Sequence, residues 1–265
     1  MGRFHRHDDG TVHTHDHEDH DHTHGHGDHD HGDHSGYDTG SQRVDVLESI
    51  FAENDVRADF NRNAFESNGI RALNLMSSPG SGKTTVLAAT LDELRGDVAV
   101  GVIEGDIATD LDAAKLGGRG AQVSLLNTSN GFGGECHLDA PMVNRALQGL
   151  DLPGLDLVVI ENVGNLVCPA EFDVGEHAKA MVYSVTEGED KPLKYPVMFR
   201  SVDVVLLNKI DLVPHLDADV DTYIAHVRQV NPTAAVLPIS ARTGAGMPAW
   251  FDWLRRFVTG SAADI

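Results

Sequence analysis

Residues 77–85, SSPGSGKTT, have the residue types that bind nucleotide phosphates. Glycines let backbone N–H groups turn toward the phosphates, and a helix that begins directly afterwards adds a favourable dipole. Lys83 would reach the β- and γ-phosphates, and the Thr84 hydroxyl would bind Mg²⁺. The strict P-loop pattern has Gly at position 77, where this chain has Ser, which is small enough to serve. The predicted phosphate-binding residues are Gly80, Ser81, Gly82, Lys83, Thr84 and Thr85.

A second motif, NKID at 208–211, follows an apolar stretch and predicts guanine binding. The carboxylate of Asp211 can accept hydrogen bonds from the ring N–H and the exocyclic amine of guanine. Adenine lacks this pair of donors and would leave a carboxylate unpaired. Asn208 is expected to brace the loop and the Lys209 stem to lie over the base. Ser240 and Ala241 would form the loop that closes over guanine, so the predicted nucleotide is GTP or GDP.

Between these motifs lie residues that could sense the γ-phosphate. Asp106 is placed to hold Mg²⁺ or its water shell, with Asp110 as a second candidate, and the Gly164 N–H could contact the γ-phosphate. No Gln is placed to orient the attacking water, so intrinsic GTP hydrolysis is predicted to be slow. A slow rate suits a molecular switch better than a metabolic enzyme. The predicted catalytic residues are Lys83, Thr84, Asp106, Glu161 and Gly164, of which Thr84 and Asp106 would bind Mg²⁺.

The only two cysteines, Cys136 and Cys168, indicate a metal site. Cys136 is followed by His137, and both cysteines come after glycines in predicted loops. A free Cys is usually a small buried hydrophobe. Two thiolates and one imidazole, however, form a three-ligand set that can bind Ni²⁺ or Zn²⁺ with one position left over. Since Cys168 follows Glu161 by seven residues, nucleotide state could reshape this site.

Residues 1–40 are rich in histidine and acidic residues and nearly free of apolar ones, which predicts a disordered tail. Neutral imidazole suits nickel, copper and zinc. The irregular spacing differs from the unbroken histidine run of a purification tag. The predicted nickel ligands of the tail are His13, His15, His17, His20, His22, His24, His26, His29, His31 and His34.

From residue 41 to 265 the composition is that of one globular domain. Apolar spacing predicts a helix over 42–67 that carries Phe60 and Phe65 and stops at Asn68-Gly69. Short apolar runs then alternate with helical stretches, which indicates βαβ units and an α/β fold with a mainly parallel sheet covered on both faces. Strands are predicted at 73–76, 98–103, 122–126, 157–161, 204–208 and 235–239.

The net charge of −21, with histidines neutral, argues against nucleic-acid binding, which needs a surplus of Lys and Arg. No apolar run is long enough for a membrane span, and the first residues lack the apolar core of a secretory signal. A cytoplasmic location and no membrane partner are therefore expected.

Taken together, these motifs resemble the HypB family of hydrogenase nickel-incorporation GTPases, which is related to UreG, over about residues 43–258. The matching stretches are SSPGSGKTT (77–85), EGDIATDLDA (104–113), GECHLDA (134–140), ENVGNLVCPAEFDVGE (161–176), KPLKYPVMF (191–199) and NKIDL (208–212). ENVGNLVCP and CHLDA are specific to that family, whereas the P-loop and NKID occur in many GTPases.

The resemblance implies a P-loop GTPase that works in [NiFe]-hydrogenase maturation with a HypA-type metallochaperone and the hydrogenase large-subunit precursor. It implies that Cys136, His137 and Cys168 bind nickel or zinc near the interface of a GTP- or metal-dependent homodimer. Some members carry an N-terminal cysteine motif for nickel. This chain has no cysteine before position 136, and its histidine tract would store or deliver nickel instead.

Three other functions agree less well with these residues. A UreG-like urease accessory GTPase would present Cys-Pro-His, whereas Cys136 and His137 are adjacent here. In a nickel store the histidine tract would be the function and the nucleotide domain incidental. A metabolic P-loop kinase is disfavoured by NKID and by the lack of an acceptor-substrate motif.

Overall fold

The computed structural model describes residues 40–105, 116, 118–126 and 137–260, with the backbone alone for 40–50, and two short strands near the N-terminus. These strands, β1 (His5–Arg6) and β2 (Val12–His13), pair antiparallel with His5 opposite His13. The chain divides into two compact units, residues 1–42 and 43–265. Apart from β1 and β2, the tail predicted to be disordered lies outside the described residues.

Helix α1 (Gly40–Ser67) corresponds to the helix predicted over 42–67. It ends at Asn68 and Gly69, whose φ of +70° is accessible to glycine without strain. Phe65 is fully buried against the sheet. Phe60, which belongs to the apolar pattern that predicts this helix, is 60% exposed, whereas Ala58 and Asn61 are buried.

Seven parallel strands form one sheet in the order β5-β4-β6-β3-β7-β8-β9. Their bounds are β3 (Arg71–Ser77), β4 (Val100–Glu104), β5 (Gln122–Leu125), β6 (Leu157–Gly164), β7 (Ala178–Ser184), β8 (Val204–Asn208) and β9 (Ala235–Pro238). The strand that leads into the P-loop therefore lies at the centre of the sheet. The carboxyl ends of its neighbours meet the P-loop at one edge, which is where parallel α/β sheets bind ligands.

Six further helices follow α1 in the described part of the chain. They are α2 (Lys83–Leu94), α3 (Ala140–Leu147), α4 (Lys191–Lys194), α5 (Pro196–Arg200), α6 (Val220–Val230) and α7 (Met247–Thr259). On one face of the sheet Leu87 of α2 and Trp250 of α7 pack against Leu73. On the other face, α1 and α3 pack over β6 while α5 and α6 pack over β7. This confirms the predicted parallel sheet covered on both faces.

Strand β7 was missed at the sequence level. Its first residues, Ala178, Lys179 and Ala180, have low strand propensity, so no apolar alternation marks where it starts. It becomes a strand because it pairs with β3 on one side and β8 on the other, and all of its seven residues except Lys179 are buried.

In the described part of the chain, no helix combines the length and apolar character that crossing a membrane requires.

Candidate nucleotide and metal sites

The P-loop connects β3 to α2 in the predicted strand–loop–helix order. Gly80 and Gly82 have φ of +74° and +98°, and a Cβ on Gly82 would meet the Asn208 side-chain nitrogen at 2.6 Å. Only glycine fits that position. Ser77 has no such requirement: it is the buried last residue of β3, and Lys209 alone among the described non-glycine residues has a positive φ. The departure from the P-loop pattern at Ser77 therefore leaves the loop backbone undisturbed.

Lys83 and Thr84 converge on Glu161, which lies near the end of β6. The Lys83 Nζ is 3.2 Å from Glu161 Oε1, and the Thr84 hydroxyl donates to the same oxygen at 2.9 Å. The side chains of Lys83 and Glu161 are 3% and 0% exposed, so this ion pair is shielded from solvent. Glu161 Oε2 is buried and has no hydrogen-bond partner. Three of the five predicted catalytic residues thus lie together, with an uncompensated carboxylate oxygen among them.

A second buried carboxylate, Glu104, was missed from the sequence. It ends β4, is 1% exposed, and stands directly opposite Glu161 in the parallel register. Residues paired in this way project to the same face of a sheet. The available signal was a charged residue at the end of an apolar run, but the strand was predicted to stop at position 103. The structure therefore places two acidic side chains at the phosphate end of the site.

The guanine end is joined directly to the P-loop through Asn208. Its Nδ2 donates to Ser81 O at 2.9 Å, and its Oδ1 accepts from Ala241 N at 3.1 Å. The Lys209 ammonium donates to Gly80 O at 2.6 Å. The Ser240 hydroxyl donates to Asp211 Oδ1 at 2.6 Å, which orients that carboxylate. The bracing role predicted for Asn208 corresponds to these two bonds.

Glu187 also holds the P-loop and was not predicted. It lies in the 3₁₀ turn Val185–Glu187 after the missed strand β7. One of its carboxylate oxygens accepts a hydrogen bond from the Ser78 hydroxyl, and the other accepts from Ser184 N at 2.9 Å. The capping-box spacing of Ser184 and Glu187 was a readable signal, but its contact with Ser78 spans 109 residues of chain.

The predicted metal ligands are described in part. The His137 ring stacks on Phe172 with centroids 4.1 Å apart, and Cys168 opens the 3₁₀ turn Cys168–Ala170 just after β6. Cys136 lies outside the described residues. Among the residues that the structure describes, no three His, Cys, Asp or Glu side chains are grouped closely enough to hold a metal ion. The three-ligand set therefore stays a prediction.

Comparison with known proteins identifies the family. The model of the CobW/HypB/UreG nucleotide-binding domain matches residues 71–238. Hydrogenase maturation factor HypB of Azotobacter chroococcum mcd 1 is 52% identical over 218 residues, which cover 82% of this chain and 70% of that protein. The chain belongs to the HypB family.

Solved HypB structures share its fold. Hydrogenase maturation factor HypB from Archaeoglobus fulgidus matches with a TM-score of 0.73 and 36% identity, over 78% of this chain and 99% of that one. HypB from Helicobacter pylori, determined in complex with nickel, matches with a TM-score of 0.72 and 33% identity, over 79% and 96%. The predicted fold class and the resemblance to the HypB family are therefore confirmed.

Within this HypB-family domain the described residues that were predicted to bind the nucleotide lie along one edge of the sheet. The contacts of Asn208 connect the phosphate and base ends, and Gly164 pairs in register with Ser77 beside the P-loop. Asp106 and Asp110 lie outside the described residues, so the predicted Mg²⁺ role of Asp106 is not described. The predicted tail ligands from His15 to His34 also lie outside the described residues, and only the backbone of His13 is described.

Proposed function

We propose that the chain is a GTP-hydrolysing nickel metallochaperone for [NiFe]-hydrogenase maturation, with a metal site that responds to the bound nucleotide. The convergence of Lys83 and Thr84 on Glu161 carries this proposal. Both P-loop side chains are held by a residue whose strand ends at Gly164, four residues before Cys168. A ligand that draws Lys83 and Thr84 away from Glu161 would act on the strand that leads to the metal ligand.

The hydrolytic site is proposed to use GTP with Mg²⁺. The fit to Mg²⁺ rests on the buried, unpartnered Glu161 Oε2 beside the Thr84 hydroxyl, because oxygen donors of this kind suit that ion. Thr84 and Glu161, with Asp106, would hold Mg²⁺, which when bound neutralises charge on the phosphates. Lys83 donates to the β- and γ-phosphates, and the backbone N–H groups of the P-loop surround them. Asp211, oriented by Ser240, accepts from guanine.

The cargo is proposed to be nickel, held by Cys136, His137 and Cys168. A HypB structure from Helicobacter pylori was determined in complex with nickel, and thiolate with imidazole suits Ni²⁺ and also Zn²⁺. The histidine tract is proposed to store or deliver nickel to this site. A cytoplasmic location agrees with ligands that must remain reduced thiolates.

The proposed partners are a HypA-type metallochaperone, the hydrogenase large-subunit precursor and a second copy of the chain. Val167 and Val197 are 53% and 59% exposed beside the turn that begins at Cys168. With Leu166 and Tyr195 they line a mainly apolar hollow of about 160 Å³. Exposed apolar side chains grouped in this way are typical of an interaction surface, which supports a homodimer or partner contact next to the metal ligand.

The test is a nickel titration of the full chain, read by sulfur-to-nickel charge-transfer absorption. This band needs a cysteine ligand, so the histidine tract, which has none, does not contribute. We expect the band to saturate at about one nickel ion per chain. The nickel concentration at half-saturation should differ by about fivefold or more between the GDP complex and the complex with a non-hydrolysable GTP analogue. GTP but not ATP should be hydrolysed, and Lys83→Ala should abolish hydrolysis.

Cys168→Ala should remove the band, whereas His215→Ala, which changes an exposed histidine elsewhere, should leave it intact. A missing band in the wild type would refute the cysteine site. A band that is identical with both nucleotides would refute the nucleotide-responsive site.

A further inference from the structure

Asn162, the residue after Glu161, is a fully buried side chain for which neither the sequence motifs nor the proposed function assigns a role. It lies where the register between β3 and β6 shifts: Leu75 pairs with Glu161, but Ser77 pairs with Gly164. Between these two pairs β6 advances by three residues while β3 advances by two. Irregularities of this kind re-aim side chains and are enriched next to active sites.

The backbone of Asn162 contacts the phosphate site. Its carbonyl oxygen accepts a hydrogen bond from Lys83 Nζ at 2.7 Å, within the same buried cluster as the ion pair with Glu161. A bound triphosphate would compete for this ammonium, because the P-loop lysine reaches the β- and γ-phosphates. Phosphate oxygens are charged acceptors and form stronger bonds with an ammonium than a carbonyl does. A bound nucleotide would therefore weaken the Lys83 contact with Asn162.

The side chain of Asn162 contacts the segment that carries His137. Its Oδ1 accepts from Leu138 N at 3.0 Å and from Val163 N at 2.9 Å, while its Nδ2 donates to Asn74 Oδ1 at 3.2 Å. Leu138 is the residue after His137 and is completely buried. A single side chain thus fixes the backbone one residue away from a proposed metal ligand.

Residues 138–140 are also held by α1. Ala140 N donates to Asn54 Oδ1 at 2.9 Å, and Asn61 Nδ2 donates to Ala140 O at 2.9 Å. The Leu138 side chain packs so closely on Gly105 that a Cβ there would lie 2.5 Å from it. Gly105 N in turn donates to Glu161 O at 3.0 Å. With the C-terminal side of the segment anchored, a shift of Asn162 acts mainly on its N-terminal end, where His137 lies.

We propose that Asn162 is a positioning residue that couples the P-loop lysine to His137, so that exchange of GDP for GTP moves the metal ligand through the bond from Leu138 N to Asn162 Oδ1. This inference rests on the proposed function, since it needs a metal site that includes His137. It adds a second route by which the nucleotide would affect the metal site, through the hydrogen bond from residue 138 to β6. The first route runs along the chain from Glu161 to Cys168.

The test uses Asn162→Ala in the full chain and the sulfur-to-nickel band. The variant keeps the backbone carbonyl for Lys83 and all three proposed metal ligands, but removes the acceptor for Leu138 N. We expect both nucleotide affinities and the nickel band to persist, while the nucleotide-dependent shift falls from about fivefold or more to less than about twofold. A role limited to stability would weaken nickel binding equally with both nucleotides.

The matched control is Asn74→Ala, which removes a buried Asn from the same network but keeps Asn162 Oδ1 as the acceptor for Leu138 N. It should keep the wild-type shift. A wild-type shift in Asn162→Ala, or an equal loss in both variants, would overturn the inference. If the wild type has no shift, the nucleotide-responsive site fails first, so failure of the proposed function is recognised separately.

Hydrogen exchange in the wild-type chain provides a test that does not depend on a folded variant. Protection of the Leu138 amide should differ between GDP and the GTP analogue. Protection of the Met142 amide, which Asp139 Oδ1 caps at 2.7 Å in the same region, should not change. Equal protection of Leu138 with both nucleotides would contradict a route through this bond.

Discussion

The hydroxyl of Thr84 donates a hydrogen bond to the carboxylate of Glu161 across 2.9 Å, joining the first turn of α2 to the C-terminal half of β6. The two residues are 77 positions apart in the chain. Thr84 Oγ1 is also the atom expected to bind Mg²⁺, so the proposed Mg²⁺ complex would use a hydroxyl that bonds to Glu161 in the chain alone. Binding of nucleotide and Mg²⁺ would therefore rearrange this contact.

Glu161→Gln tests the proposed Mg²⁺ role. The amide oxygen still accepts from Thr84, but the negative charge is lost, so Mg²⁺ should strengthen binding of a GTP analogue less than in the wild type. We expect a loss of about 1–2 kcal/mol, roughly 5- to 30-fold, because bonds to charged groups exceed neutral ones by about this amount. Affinity is measured with Mg²⁺ and with a chelator. Glu171→Gln, at an exposed position, is the control, and an unchanged Mg²⁺ dependence in Glu161→Gln would exclude the role.

Asp211→Asn tests guanine recognition. An amide presents a donor where the carboxylate accepted, so affinity for GTP should fall by roughly 100-fold or more because buried polar groups are left mismatched. Xanthosine triphosphate, which has a carbonyl in place of the exocyclic amine, should bind the variant better than GTP does. Competition with a fluorescent nucleotide measures both affinities. Asp217→Asn, an exposed neighbour, should behave as wild type, and unchanged base preference in Asp211→Asn would disprove this assignment.

Gly246→Ala and Gly244→Ala form a matched pair in the loop behind Ser240. Both glycines have positive φ, +72° and +83°, but a Cβ at 246 would lie 2.0 Å from Pro238 O, whereas a Cβ at 244 meets nothing within 4 Å. Gly244→Ala should cost about 1–2 kcal/mol from backbone conformation alone. Gly246→Ala should cost about 1–3 kcal/mol more because the backbone must move. Urea unfolding measures both, and equal losses would show that the close approach to Pro238 has no energetic weight.

His177 predicts a pH dependence of stability. Burial, reinforced by the charges of Arg71 and Arg62, lowers the pKa of His177 below its usual 6.5, and its Nδ1 accepts from Ala72 N at 2.9 Å, which requires that nitrogen unprotonated. The unfolded chain therefore takes up this proton more readily than the folded one. The stabilisation is complete above pH 6.5 and is lost as the pH falls through 6.5 toward the folded pKa.

The measurement is the free energy of unfolding at several pH values from about 7.5 to about 5.5, the range in which histidine titrates. His177→Gln should lower stability near neutral pH and flatten its dependence on pH. His215→Gln, at an exposed histidine, should keep the wild-type slope. If His177→Gln and the wild type have the same slope, another group is responsible for the pH dependence.

Local chemistry was readable from the sequence wherever neighbouring residues act together. The run from Ser77 to Thr85 predicts a phosphate loop because glycines, a lysine and a hydroxyl stand in consecutive positions. Trp250, Trp253 and Phe257 recur at the spacing of an amphipathic helix, and all three are buried in α7. Strand β8 matches its predicted bounds. Strand β7 was not found, because its Ala and Lys residues become a strand only by pairing with β3 and β8.

The sequence by itself determined the fold class, the nucleotide motifs and the family, since each rests on residue types at short, fixed spacing. Only the tertiary structure decided which of these residues act on one another. The bond from Asn208 to Ser81 spans 127 positions and that from Leu138 to Asn162 spans 24, and no local pattern encodes either. Glu104 lies opposite Glu161 only because β4 and β6 pair in that register. The physical reason is that burial and register are set by the whole sheet, whereas a sequence motif records only chain neighbours.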